Sequence, residues 1–135
     1  MSLRPSLAFL AVASLAACAA PAGGAPDGEQ TVTLIAHWSR FSPETIAIPV
    51  GTTVRFVVRN EDPIAHELIV GDHAVQERHE KGTEAHHGDR PGEVSVAAGG
   101  TVETRYRFDR PGTVPFGCHL PGHWAYGMRG TIEVR

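Results

Sequence analysis

One short stretch near the C-terminus dictates how the rest of the chain must be arranged. It reads Gly117-Cys118-His119-Leu120-Pro121-Gly122-His123-Trp124-Ala125-Tyr126-Gly127-Met128. Cys118, His123 and Met128 follow one another at intervals of five residues, and His66 lies far upstream at the head of the apolar run His66 to Val70. A thiolate, two imidazoles and a thioether are the donor set of a mononuclear copper site. The thiolate suits Cu(I), the imidazoles suit both oxidation states, and a long axial Met tunes the potential. Each residue alone has a plainer reading: His66 as a strand histidine, Met128 as core, Cys118 as a small buried hydrophobe. Together they are read as ligands. Zinc also takes Cys and His, but the Met argues for copper. Such a set meets only if the fold carries the His66 strand beside the C-terminal loop.

The rest of the sequence supplies strands for that purpose. Thr31 to Ala36 is β-branched and partly alternating, and Ile46 and Ile48 lead into the turn Pro49-Val50-Gly51-Thr52. Thr53 to Arg59 alternates, with Val54, Phe56 and Val58 on one face. Glu93 to Ala97 and Thr101 to Phe108 flank the turn Ala98-Gly99-Gly100, Val114 to Cys118 leads into the ligand loop, and Gly130 to Val134 closes the domain. Many short strands divided by Gly and Pro turns predict an all-β antiparallel Greek-key β-sandwich. No helical period of useful length is present.

These motifs resemble the cupredoxins, small blue-copper proteins. In that family the first His comes early, and Cys, His and Met share one loop between the last two strands. The likeness runs from about Thr31 to Arg135. Its upstream part is Phe41-Ser42-Pro43-Glu44-Thr45-Ile46-Ala47-Ile48, then Val50-Gly51-Thr52-Thr53-Val54-Arg55-Phe56-Val57-Val58-Arg59-Asn60, then His66-Glu67-Leu68. That part is similar to bacterial cupredoxins of the copper-tolerance type. Glu67 is a departure, because many electron-carrier cupredoxins have a small polar residue after the first His. The resemblance implies cupredoxin topology, one type 1 copper held by His66, Cys118, His123 and Met128, and a His123 ring edge facing solvent. Pro121, Gly122 and Trp124 would then form an apolar collar where a partner docks.

The N-terminus reads as a targeting segment rather than as structure. Arg4 supplies the positive region, and Leu7 to Ala17 is apolar but too short to span a bilayer as a helix. Leu15-Ala16-Ala17-Cys18 looks like a bacterial lipobox, in which Cys18 becomes the lipidated first residue. Ordinary cleavage at Ala17-x-Ala19 is the alternative, and either reading exports the protein. The expected division is a signal peptide at 1–17, a flexible Pro/Gly-rich tether at 18–30 and one domain at 31–135. The destination is the periplasm, with a lipid anchor as the sole tie to a membrane. The chain has two cysteines, so once Cys18 is lipidated or removed Cys118 has no disulfide partner. An unpaired thiol in an oxidising compartment calls for an occupant, and a metal provides one.

Composition narrows the partners. The net charge is −3, Lys81 is the only lysine, and no basic patch points to nucleic acid. A monomer is expected. The Cys118-His119 and His123 pattern is also similar to multicopper oxidases, but their trinuclear centres need a His before the Cys and His-x-His pairs. Here Gly117 precedes Cys118 and no His-x-His occurs, so an enzyme is not expected.

Residues 71–92 exceed what a minimal sandwich needs. Ala74 to Gly82 suits a short helix, and the insert carries His73, His79, His86 and His87 with Glu77, Glu80 and Glu84. Two readings stand, a solvated polar loop or an accessory copper site. Two functions follow from the whole: a copper-tolerance protein that binds or oxidises copper, or an electron carrier between periplasmic or membrane redox partners. The corresponding partners are a copper-handling protein or a redox protein.

Overall fold

Alternation of apolar side chains builds two packed sheets. The computed structural model describes residues 28–82, 87 and 90–135. The expected signal peptide, Cys18, Glu84 and His86 lie outside these residues. The strands are β1 (Glu29–His37), β2 (Arg40–Ser42), β3 (Thr45–Ile48), β4 (Thr52–Asn60), β5 (His66–Val70), β6 (Glu93–Val96), β7 (Thr101–Phe108), β8 (Gly112–Gly117) and β9 (Arg129–Val134). Two helices, α1 (His73–Glu80) and α2 (His123–Tyr126), interrupt them. β1 takes in Glu29 and Gln30, the last two residues of the expected tether.

One sheet has the order β2-β1-β4-β7 and the other β3-β9-β8-β5-β6. The sandwich is the expected one, but the sheets are mixed. β1 pairs parallel with β4, and β3 pairs parallel with β9. Alternation fixes which face of a strand is buried, not the direction of its neighbour, so this feature was not legible in the pattern.

The period-two rule is plainest in β4. Val54, Phe56 and Val58 are fully buried while Thr53, Arg55 and Val57 between them are only partly covered. They meet Leu34 and Ala36 of β1 and Leu68, Phe116 and Ile132 of the opposing sheet in one core cluster. Each of these side chains larger than alanine contributes about 1.5–3 kcal/mol by leaving water. Cys118 and Met128 belong to the same cluster, so the ligand loop is seated on the core.

β5 breaks the alternation, because all five of its residues are buried. Helix α1 is the reason. Asp72 caps its start by accepting the Val75 N–H at 3.0 Å, and Gly82 follows its end in the left-handed region, φ 63. The Gln76 amide on this helix donates to Ile69 O, Gly71 O and Pro115 O at 3.2 Å each. The insert thus lies over the outer face of β5 and β8, and the expected short helix in it is present.

Candidate metal centre

The ends of β5 and β8 and the loop before β9 bring three donors together. His66 Nδ1 lies 3.2 Å from His123 Nδ1, and Cys118 Sγ lies 3.3 Å from the same His123 nitrogen. All three donor atoms are within 4.8 Å of one another. Met128 is fully buried in the core cluster that also holds Cys118, and its carbonyl accepts the Cys118 N–H at 3.0 Å. The loop is closed by a second such contact, Met128 N–H to His123 O at 3.0 Å. Gly122 and Gly127 bracket α2 with φ 84 and 96, angles that residues with a Cβ rarely adopt. The short helix α2 was not expected from sequence; at four residues it carries no usable periodicity.

Gly117 has a separate role. A Cβ there would strike the Trp124 ring and crowd Met128 O, so only glycine lets this ring pack against the strand leading to Cys118. Trp124 stacks on His119 with ring centroids 4.6 Å apart and lies under the Arg129 guanidinium. The expected collar of Pro121, Gly122 and Trp124 divides between two hollows. The hollow beside His123 is lined by Ser39, Pro121, Gly122 and Tyr126, and Trp124 faces a different hollow with His73 and His119. Among the described residues, Trp38 and Tyr126, 79 % and 78 % exposed, are the large aromatic side chains left in solvent.

A neighbouring carboxylate orients the first ligand. His66 Nε2 lies 2.8 Å from Asp62 Oδ2. A carboxylate accepts, so Nε2 carries the proton and Nδ1 presents its lone pair to the donor cluster, the arrangement typical of a metal-binding His. Asp62 also accepts the N–H groups of Trp38 at 2.7 Å and Ser39 at 2.8 Å. Those residues have φ 54 and 52, the positive angles of a tight hairpin turn. Burial alone would raise the Asp62 pKa, but the Ser39, His66 and Trp38 donors outweigh it and hold it below the ordinary value. Sequence reasoning missed Asp62; its place four residues before His66 was the available signal.

The donor chemistry fits copper. Burial pushes the Cys118 thiol up to about 11, against backbone N–H donors from Leu120 and Glu67 that lower it. Burial, then the adjacent His66 ring, lowers the His123 pKa, which favours the neutral imidazole that a metal requires. A soft sulfur with two neutral imidazoles selects copper over hard cations.

A family model described as copper binding proteins of the plastocyanin/azurin family matches residues 31–135. The chain belongs to that family. This cupredoxin is 38 % identical over 118 residues to the copper-resistant cuproprotein CopI of Rubrivivax gelatinosus, covering 84 % of this chain and 71 % of that one. It is 28 % identical over 127 residues to the protein of the same name from Pseudomonas aeruginosa, covering 70 % of each. Among solved structures, auracyanin of Roseiflexus castenholzii superposes with a TM-score of 0.67 at 19 % identity, over 78 % of this chain and 96 % of that one. That likeness concerns the fold.

The insert histidines divide. His79 and His87 come together, with Glu93 as a third member. His73 starts α1 in an exposed position, and His86 lies outside the described residues. Of the insert carboxylates, Glu77 pairs with Lys81 at 2.8 Å and Glu80 meets His119 at 2.7 Å. Sequence reasoning also missed Glu67, His119 and Glu93 as partners of this cluster. The signal was adjacency: Glu67 follows His66 and His119 follows Cys118, and neighbours along an extended strand point to opposite faces.

Proposed function

We propose that this cupredoxin binds and redox-cycles one copper ion as a type 1 site at His66, Cys118, His123 and Met128, and serves copper tolerance. The convergence of Cys118 Sγ and two imidazole nitrogens within 4.8 Å carries the reading. When bound, copper supplies a one-electron couple and an intense thiolate-to-metal absorption. The chain's own residues assemble the donors, orient His66 through Asp62 and keep water from the sulfur. The names of the CopI relatives favour tolerance over service as an electron carrier. The protein works as a monomer in the periplasm, held to a bacterial membrane by a lipid on Cys18, and it is not an enzyme. A copper-handling or redox protein docks over the hollow beside His123, where Tyr126 is exposed.

Copper-loaded protein and its Cys118→Ser variant test the proposal. The wild type gives the charge-transfer band and restores growth of a deletion strain on copper; the variant does neither. A variant that keeps the same band overturns the type 1 assignment, and a wild type that leaves copper sensitivity unchanged overturns the tolerance role. Wild type in the soluble periplasmic fraction overturns the lipid anchor.

A further inference from the structure

A second set of donors lies behind the first. His79 on α1, His87 in the following loop and Glu93 at the start of β6 bring one ligand atom each within 4.8 Å of one another. Their side chains are 4 %, 2 % and 7 % exposed. His79 Nε2 is 3.4 Å from Glu93 Oε2, and His87 Nδ1 is 3.7 Å from the same oxygen. His79 Nε2 and Glu93 Oε2 are both buried and make no hydrogen bond.

The tautomer of His79 makes that contact unstable as it stands. Its Nδ1 lies 2.8 Å from Val75 O. A carbonyl only accepts, so Nδ1 carries the proton of the neutral ring and Nε2 presents a lone pair. That lone pair faces a carboxylate oxygen, two acceptors with no hydrogen between them. Burying such a pair costs free energy unless a second ring proton or a metal ion sits between the two atoms. Arg78 donates to the other Glu93 oxygen at 2.9 Å, and Arg90 stands 3.6 Å from Oε2, so some compensation is built in, yet His79 Nε2 itself stays unbonded.

We propose that His79, His87 and Glu93 form a second metal site that takes copper(II). Two imidazoles and one carboxylate are a borderline donor set, and copper leads the affinity order of divalent first-row ions at such sites. The supports expected of a metal site are present. His79 is oriented by Val75 O, and His87 Nε2 lies 3.2 Å from Glu67 Oε2, so each ring's second nitrogen faces an oxygen. A cavity of about 320 Å³ bordered by His79, His87, Glu67 and His119 reaches the surface near Pro121 and Gly122, an entry path for the ion. The site stands on its own donors and does not depend on the reading of the first.

Metal-free full-length protein titrated with copper(II) tests it. Wild type takes two copper ions per chain, and the second adds a paramagnetic signal with coupling to two imidazole nitrogens but no charge-transfer band. His79→Gln and Glu93→Gln keep the band and bind the second ion at least about a hundredfold more weakly. Cys118→Ser loses the band and still binds the second ion, which separates failure of one site from failure of the other. Wild type that binds a single copper overturns the proposal, whatever the variants do. Variants that keep both ions overturn the ligand assignment. Retention of zinc at the second site in a mixed-metal dialysis overturns the choice of copper.

Discussion

Glu67 and His119 are joined by a 2.8 Å hydrogen bond from the His119 N–H to Glu67 Oε1. Each residue directly follows a member of the proposed donor set, Glu67 after His66 and His119 after Cys118. The bond therefore ties the β5 end of the copper site to the β8 end from behind. On this side His119 is held further, with its ring nitrogens 2.7 Å from Glu80 Oε2 and 2.7 Å from Gln76 Oε1. The insert helix supplies both of those partners.

Glu67→Ala leaves the His119 N–H without its acceptor. Losing the partner of a fully buried donor costs about 1–3 kcal/mol, this half-buried one less, and the same loss lets the Cys118 segment relax. We expect lower resistance to urea in the metal-free protein and a shifted charge-transfer band in the copper form. Glu67→Gln keeps an acceptor oxygen and recovers most of both. Equal stability in Ala and Gln variants would show that the bond does not hold the segment.

Asp62 acts on the opposite side of the site, through three accepted hydrogen bonds to Trp38, Ser39 and His66. Asp62→Ala removes the group that orients His66, and loss of such an orienting partner lowers metal affinity by about 10–100-fold. Its pKa is held below 3.8 in the folded chain. A depressed carboxylate stabilises the fold above its unfolded pKa, and that contribution disappears as pH falls through the lower folded value. Acid unfolding of the metal-free protein should therefore begin at higher pH in Asp62→Ala. Copper competition titrations and acid unfolding curves measure the two effects, and superimposable curves would refute the role.

Met128→Leu keeps nearly the same volume at a fully buried position, so the stability loss stays under about 1.5 kcal/mol. The thioether is a weak donor that favours Cu(II), and its removal raises the reduction potential. Voltammetry of the two loaded proteins decides. An unchanged potential with copper retained would mean that Met128 is core and not a ligand.

How much of this was legible in the sequence follows from what period and spacing encode. The strands carrying Val54, Phe56 and Val58, or Thr101 to Phe108, announce themselves because a half-buried strand alternates. β2 has three residues, too few for any period. The parallel pairing of β1 with β4 depends on tertiary order, which a local pattern does not carry. The grouping of His66, Cys118 and His123, which the fold brings together, was legible because their chemistry is distinctive. Glu93 was not, because it lies in an ordinary strand run and becomes a partner of His79 only when α1 folds over β5 and β8 and His79 reaches the start of β6. Asp62 sits in a loop whose geometry is set by the turn at Trp38 and Ser39.

The buried thiol gives the last prediction, on pH. Burial raises the Cys118 pKa from 9.0 to about 11, so in the metal-free fold the thiol keeps its proton through neutral and mildly alkaline pH. A group raised above its unfolded value contributes stability below that value and loses it as pH rises through the folded one. Metal-free protein should therefore lose stability between about pH 9 and 11, by at most about 1.4 kcal/mol per unit from this group. Tyr106 is also raised, by burial and then by the Asp72 charge, and acts in the same sense, so the reading is the difference between wild type and Cys118→Ser. Copper displaces the proton, and the loaded form should show no such loss. Below pH 9 the same proton release should strengthen copper binding about tenfold per pH unit. Guanidinium unfolding at a series of pH values, with and without copper, measures this. A wild-type minus Cys118→Ser difference that stays flat from pH 8 to 11 would mean that the thiol is not shielded, and burial of Cys118 would not be what raises its pKa.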